Sequence, residues 1–296
     1  MIKNLYAHLF VLIATFLVGG SFIVSQNLSG LIDPISITLL RFVIASMCLA
    51  PIVFLKKELR DKVFYTFKRA MIISLFYSLF FIGLFTSLEY TTALNTGTIF
   101  TLVPLITALI SIVVFKLLIP KKHYLVYFLG IIGTCVVVFK GDITLLLNLS
   151  LNKGDIIFLF AICFMALYSI CSKLFYKEDD KLIVLVFMTL VGGSIWMSLA
   201  MILLDIPLQW GEINDYKDIY NILYLSIIAT LITSYLYQNA TIILGPKKVM
   251  SYIYLNPATI ALLLFVFEGK NINIFMLFGI LLSSLATITL LKYIKQ

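Results

Sequence analysis

Apolar residues along this chain come in long blocks rather than in alternation. Ten blocks stand out, at about 6–26, 35–55, 70–88, 93–115, 123–140, 154–174, 182–204, 219–239, 248–267 and 273–292. A hydrocarbon core about 30 Å thick needs about twenty helical residues to span it. None of the blocks alternates strictly, and each is too long for a membrane strand. In lipid every backbone N–H needs an internal partner, which a helix supplies. The pattern predicts an all-α integral membrane protein with ten transmembrane helices.

The connectors are short. The longest run over 56–69, 141–153 and 205–218, and none is long enough for a domain with its own core. Function is therefore expected among the helices. Composition agrees: 62% of residues are hydrophobic and only 12% charged, about half the charged share of a soluble domain. The net charge of +8 would suggest nucleic acid in a soluble protein. Here the basic residues cluster between apolar blocks, which points to membrane orientation instead. With a cytoplasmic N-terminus, seventeen Lys and Arg fall on inner segments and four on outer loops. That asymmetry predicts a multi-pass protein of the cell (inner) membrane with both termini cytoplasmic, which requires an even number of crossings. The acidic outer connector with Asp205, Glu212, Asp215 and Asp218 reads as a solvated link.

The chain also matches itself at half length. Gly19–Gln26 aligns on Ala166–Lys173, and the same offset sets Arg41 on Met188; Thr101–Pro104 aligns on Tyr254–Pro257, and Leu129–Ile132 on Phe278–Leu281. This divides the chain into repeats at 1–147 and 148–296, with five spans each. Five is odd, so the second repeat enters the membrane inverted. Inverted repeats suit carriers that work by alternating access, because two copies of one fold can exchange conformations at similar energy.

The residues at these positions resemble the drug/metabolite transporter superfamily, EamA type. Leu17-Val18-Gly19-Gly20-Ser21-Phe22, Asp33-Pro34 with Leu40-Arg41-Phe42, and Glu89-Tyr90-Thr91-Thr92-Ala93 through Pro104 resemble its first-half motifs. Leu244-Gly245-Pro246, Asn256-Pro257 and Phe267-Glu268-Gly269 resemble its second-half run. Gly130 and Gly279 match the glycines in the last helix of each repeat. Val18 stands where the family usually has tryptophan, and Phe115-Lys116 where the first repeat often carries an acid. The resemblance covers nearly the whole chain and implies ten helices in two five-helix repeats. Its motifs specify a fold and name no solute.

Arg41 is the one charge well inside a span. Such a charge costs several kcal/mol unless paired or hydrated. It either lines a cavity and meets an anionic or carboxylate-bearing solute, or bonds helix-end carbonyls or Glu89 to fix an outer gate. Pro104 and Pro257 fall mid-span at equivalent places, where each deprives the carbonyl four residues earlier, Phe100 or Ile253, of its helical donor. Two kinked helices lining a central site would follow. Further pathway candidates are Ser21, Gln26, Asn95, Tyr168, Gln238, Tyr252 and Asn256, with Asn95 and Asn256 favoured because they share the proline helices. Gly19 and Gly20 are read as packing and hinge positions. Glu89 and Glu268 lie near outer ends, and Asp155 begins a helix, so a proton relay through a central acid is disfavoured.

Cys48, Cys135, Cys163 and Cys171 form no CxxC pair and read as small buried hydrophobes. His8 and His123 lack partners at metal-ligand spacing, so no metal is expected. No phosphate-binding lysine motif is present, so ATP hydrolysis is not expected, and no cofactor is expected. The reading is a secondary carrier of a small organic solute, an amino acid or related metabolite, working as exporter or exchanger in a lipid bilayer. It is not expected to be an enzyme or to bind nucleic acid. Monomer and homodimer are both left open. The alternative is a membrane-embedded lipid-processing or sensor protein; a lipid-processing enzyme would need a cluster of His, Asp or Glu at a membrane face.

Overall fold

The computed structural model describes residues 2–28, 30–91, 93–116, 120–142, 144 and 152–293; in addition, side chains at 2–3, 26–27, 93–95, 121–122 and 268 are left undescribed. We number its ten membrane helices in chain order. They are α1 (Ile2–Leu28), α2 (Pro34–Leu55), α3 (Lys57–Leu88), α4 in two pieces (Ala93–Phe100 and Val103–Phe115) and α5 (Lys121–Val138). The second half holds α6 (Lys153–Leu174), α7 (Leu182–Leu204), α8 (Tyr216–Leu244), α9 (Pro246–Glu268, in pieces) and α10 (Ile274–Tyr293). Among the described residues there is no strand. Nine helices there are long and apolar enough to cross a membrane, and the apolar stretch His123–Val138 of α5 is shorter. The protein is thus all-α and ten-helical, as expected.

Local chemistry explains where helices begin. Asp33 caps α2, its carboxylate accepting from the Ile35 N–H at 2.7 Å, and Pro34 occupies the first turn, where no N–H is needed. Asn152 and Asp155 form a reciprocal box at the start of α6, each side chain accepting from the other's backbone N–H. One expectation fails here. The pattern predicts a connector over 56–69, yet the chain leaves α2 at Lys56 and is helical from Lys57. Its Lys, Arg and Glu are good helix formers and lengthen α3 beyond the apolar block.

Helices pair across the halves in a reciprocal pattern. α1 packs on α8 and α9, while α6 packs on α3 and α4; α2 packs on α8, while α7 packs on α3. α2 meets α7, and α5 meets α10. Adding or subtracting five helix numbers turns this pattern into itself. The α5–α10 contact is backbone to backbone: a Cβ on Gly133 would lie 2.6 Å from the Ser283 nitrogen, and one on Gly279 would lie 2.7 Å from the Gly133 carbonyl oxygen. Without a hydrophobic drive between helices in lipid, such close approach strengthens dispersion contacts.

Both proline helices break at corresponding places. In α4 the break at Thr101–Leu102 precedes Pro104; in α9 a 3-10 turn, Tyr252–Leu255, precedes Pro257. The prolines therefore sit in the first turn of a fresh helical segment, where the missing N–H costs nothing. Gly19 and Gly20 lie at close helix contacts. α1 runs unbroken through Gly19 and Gly20, which press against Thr259 of α9 and Tyr224 of α8. These glycines allow that contact. Cys48 is exposed and only Cys171 is buried, so the cysteines are not uniformly interior.

Candidate functional site

A hollow of about 320 Å³ lies at the centre, lined by α1, α2, α3, α4, α6, α8 and α9. On α3 its wall runs from Tyr77 to Leu88, and on α1 it reaches Ser25. It therefore extends from the middle of the bundle toward the end where α1 and α3 finish.

Arg41 forms part of this wall at 3% exposure. Its Nε and Nη2 donate to Thr230 Oγ1 at 3.2 and 2.9 Å. The guanidinium carbon sits 4.8 Å from the Phe81 ring centroid, a cation–π contact. Thr230 is presented by a local widening of α8, where Tyr224–Ile232 is wound as π-helix. Its own hydroxyl donates to the Leu225 carbonyl at 2.7 Å, so its lone pairs point to the arginine. π segments commonly mark functional places in helices. Glu89 is exposed and makes no ion pair with Arg41, so that predicted partner is set aside. Arg41 does not bond helix-end carbonyls among the described residues either; a threonine hydroxyl holds it.

The floor of the hollow is aromatic and hydroxylated. Tyr77 stacks on Tyr168 with centroids 4.3 Å apart, and the Tyr77 hydroxyl shares a 3.2 Å hydrogen bond with Ser234. Gln238 lies behind Tyr168, donating from Nε2 to Tyr168 and Thr189 hydroxyls at 3.3 Å each, while its Oε1 has no partner. Asn256 is 2% exposed and lines the wall, and neither of its amide atoms has a hydrogen-bond partner. Ser21 also lines the hollow, but its hydroxyl bonds the Val18 carbonyl of its own helix at 2.8 Å.

The structure thus brings Arg41, Tyr168, Asn256 and Ser21 together and puts Gln238 just beneath them. It does not place Tyr252 in the wall; that hydroxyl is 2.7 Å from His8 Nδ1. Pro257 borders a neighbouring cavity instead. The side chains of Gln26, Asn95 and Glu268 lie outside the described residues. Thr230, Tyr77 and Ser234 escaped sequence reasoning. A lone Thr or Ser in an apolar span most often bonds its own helix, and the π winding carries no obvious residue signature.

The end opposite the hollow's mouth is cross-linked by charged contacts. Arg69 makes a two-pronged ion pair with Asp180 and also donates to the Phe175 carbonyl. The Lys173 ammonium caps the Ile242 carbonyl near the end of α8. Burial works against ionisation of Asp180, but donors from Arg69 and the Lys177 backbone, with their charges, outweigh it and hold this carboxyl below the ordinary value.

Residues 5–139 and 152–292 each match the EamA-like transporter family. The chain belongs to that family. It is 28% identical over 302 residues to the uncharacterized transporter YyaM of Bacillus subtilis (strain 168), covering 97% of this chain and 94% of that protein. A protein crystal structure only 18% identical shares the fold with a TM-score of 0.73, over 95% of this chain and 94% of that one. Family membership makes this EamA-like chain a multi-pass membrane transporter with a small-molecule substrate.

Proposed function

We propose that the protein is a secondary carrier that moves a small organic solute, of metabolite size and bearing a carboxylate, by alternating access. The two halves, 1–147 and 148–296, are inverted copies whose exchange of conformation transfers the hollow's opening from one side to the other. With both termini on the cytoplasmic side of the cell membrane, as the basic segments favour, the hollow faces outward and the Arg69–Asp180 end faces the cytoplasm. Exporter and exchanger both fit this cycle.

One observation carries the reading. A buried arginine with no acidic partner among the described residues stands in the wall of a central hollow. A cation in that position costs several kcal/mol unless something compensates it, and an incoming carboxylate does so with two parallel hydrogen bonds. Counterflow in proteoliposomes tests the proposal. A screen of labelled metabolites should find a solute that accumulates transiently against unlabelled solute trapped inside. Arg41→Ala should insert into membrane yet transport at least about tenfold more slowly, the loss expected when one charged anchor of a few kcal/mol is removed. Flux without accumulation would identify a pore and end the carrier reading; wild-type flux in Arg41→Ala would remove Arg41 from the pathway.

A further inference from the structure

We infer that the central hollow selects organic monoanions that carry an apolar body and one uncharged hydrogen-bonding group, and that it rejects zwitterions and cations. The inference rests on the carrier reading and narrows it, departing from the amino-acid expectation.

The first ground is the count of donors. A guanidinium has five N–H groups. Thr230 Oγ1 takes the Nε–H and one on Nη2, and no other acceptor among the described residues reaches Arg41. Three N–H groups of a side chain 3% exposed are therefore left for a ligand. Thr230 along one edge and Phe81 under one face fix the plane of the fork. A fixed planar fork matches the two oxygens of a carboxylate.

The second ground is the sign of the charge. Arg41 is the charged residue of the described wall, and no Asp or Glu accompanies it. Asp155, near the mouth, accepts from the Thr91 hydroxyl at 2.5 Å and from the Asn152 backbone at 3.0 Å, and so serves the cap of α6. The ammonium of an amino acid would exchange its water for ring faces and hydroxyls, with no anion in the described wall, and a cation–π contact of about 0.5–2 kcal/mol does not offset that loss. Burying an ion without a counter-ion is costly. A hydroxyl or amide in the same place carries no such penalty.

The third ground is Asn256. Both atoms of its amide are buried and unpartnered in the wall. An orphan donor and an orphan acceptor side by side are satisfied by a neutral group that both accepts and donates. Phe22, Phe80, Phe81 and Phe100 supply apolar wall around them, which suits an apolar body.

Three matched probes read this directly. 3-Phenyllactate, phenylalanine and 3-phenylpropionate share a carboxylate and a ring, and differ by a hydroxyl, an ammonium or neither. Binding to the purified full-length protein is measured by thermal shift and calorimetry. The expected order is phenyllactate, then phenylpropionate, then phenylalanine, with about tenfold or more between first and last, the equivalent of one poorly compensated charge. Arg41→Gln should abolish binding of the two anions. If that variant does not fold, Arg41→Lys, which keeps the charge and loses the fork, should weaken both. Asn256→Leu should erase the preference for phenyllactate over phenylpropionate while sparing phenylpropionate affinity. Phenylalanine binding as tightly as phenyllactate, no binding by any probe at millimolar concentration, or a preference that survives Asn256→Leu would overturn the inference. Failure of the carrier reading looks different: no metabolite in the screen would show counterflow. An amino acid that does show it would leave the carrier standing and sink the charge rule.

Discussion

Asp33 and Asp180 occupy corresponding turns of the two halves, related by the same offset that sets Arg41 on Met188. Each lies just before a membrane helix, α2 or α7. Their carboxylates do different work. Asp180 is gripped by Arg69 and by the Lys177 N–H, and so ties α3 to the α6–α7 turn. Asp33 caps its own helix, and its backbone N–H donates to Gln209 Oε1 at 2.6 Å. Among the described residues no cation pairs with it. The hollow extends toward the Asp33 end and away from the Asp180 end. Under the proposed cycle, the two states that exchange the roles of the halves start near equal energy, so an ion pair present at one end and lacking at the other decides which state is found. A bias of about 1.4 kcal/mol is already tenfold in population.

Removing the grip should break the comparison most strongly. Asp180→Ala strands Arg69 beside the Phe175 carbonyl and releases the α6–α7 turn. Cys171, buried two residues before Lys173, is a built-in reporter. With the other cysteines changed to serine, its maleimide reaction in wild type should be slow, and about tenfold faster in Asp180→Ala, given the usual cost of breaking a partly buried pair. An unchanged rate would mean that the ion pair does not hold that end closed.

A smaller effect should appear with pH. The Asp180 carboxyl titrates below its unfolded value, so its stabilising contribution is complete above that value and fades as pH falls through the folded one. The thermal stability gap between wild type and Asp180→Asn should therefore be constant from neutral pH down to about 5 and narrow below about 4. A gap that stayed constant into strong acid would contradict the lowered value.

The smallest effect should come from the other end. Trp210 donates from Nε1 to the Ser36 carbonyl at 3.1 Å, over the first turn of α2. Trp210→Phe removes that bond and should cost about 1 kcal/mol of stability, with Cys171 labelling unchanged. A labelling change as large as that of Asp180→Ala would show that both ends share the control.

The sequence made the ten crossings legible because a span in lipid must be long, apolar and helical, and these demands leave marks every few residues. The repeat was legible for a related reason: Asn256-Pro257 and Pro104 sit in corresponding breaks. Arg41 stood out because a charge in an apolar block is conspicuous. Its setting did not. Thr230 looks like any other span threonine until α8 widens beneath it, and the meeting of Arg69 with Asp180 joins residues 111 apart in the chain. The stretch 56–69 hides its helix because its charge matches a connector, although its residues favour helix.

The widened turn in α8 has a consequence for engineering. Each residue of a regular helix advances the chain by about 100°. Excising one residue between 225 and 229 would let the winding relax to its ordinary pitch. The lost residue and the tighter winding nearly cancel in angle, so Thr230 and Ser234 would keep their faces, whereas the same deletion in a regular stretch of α8 would turn everything beyond it by about 100°. The widened turn is thus the place in α8 where a codon can be lost without turning the arginine's hydroxyl away.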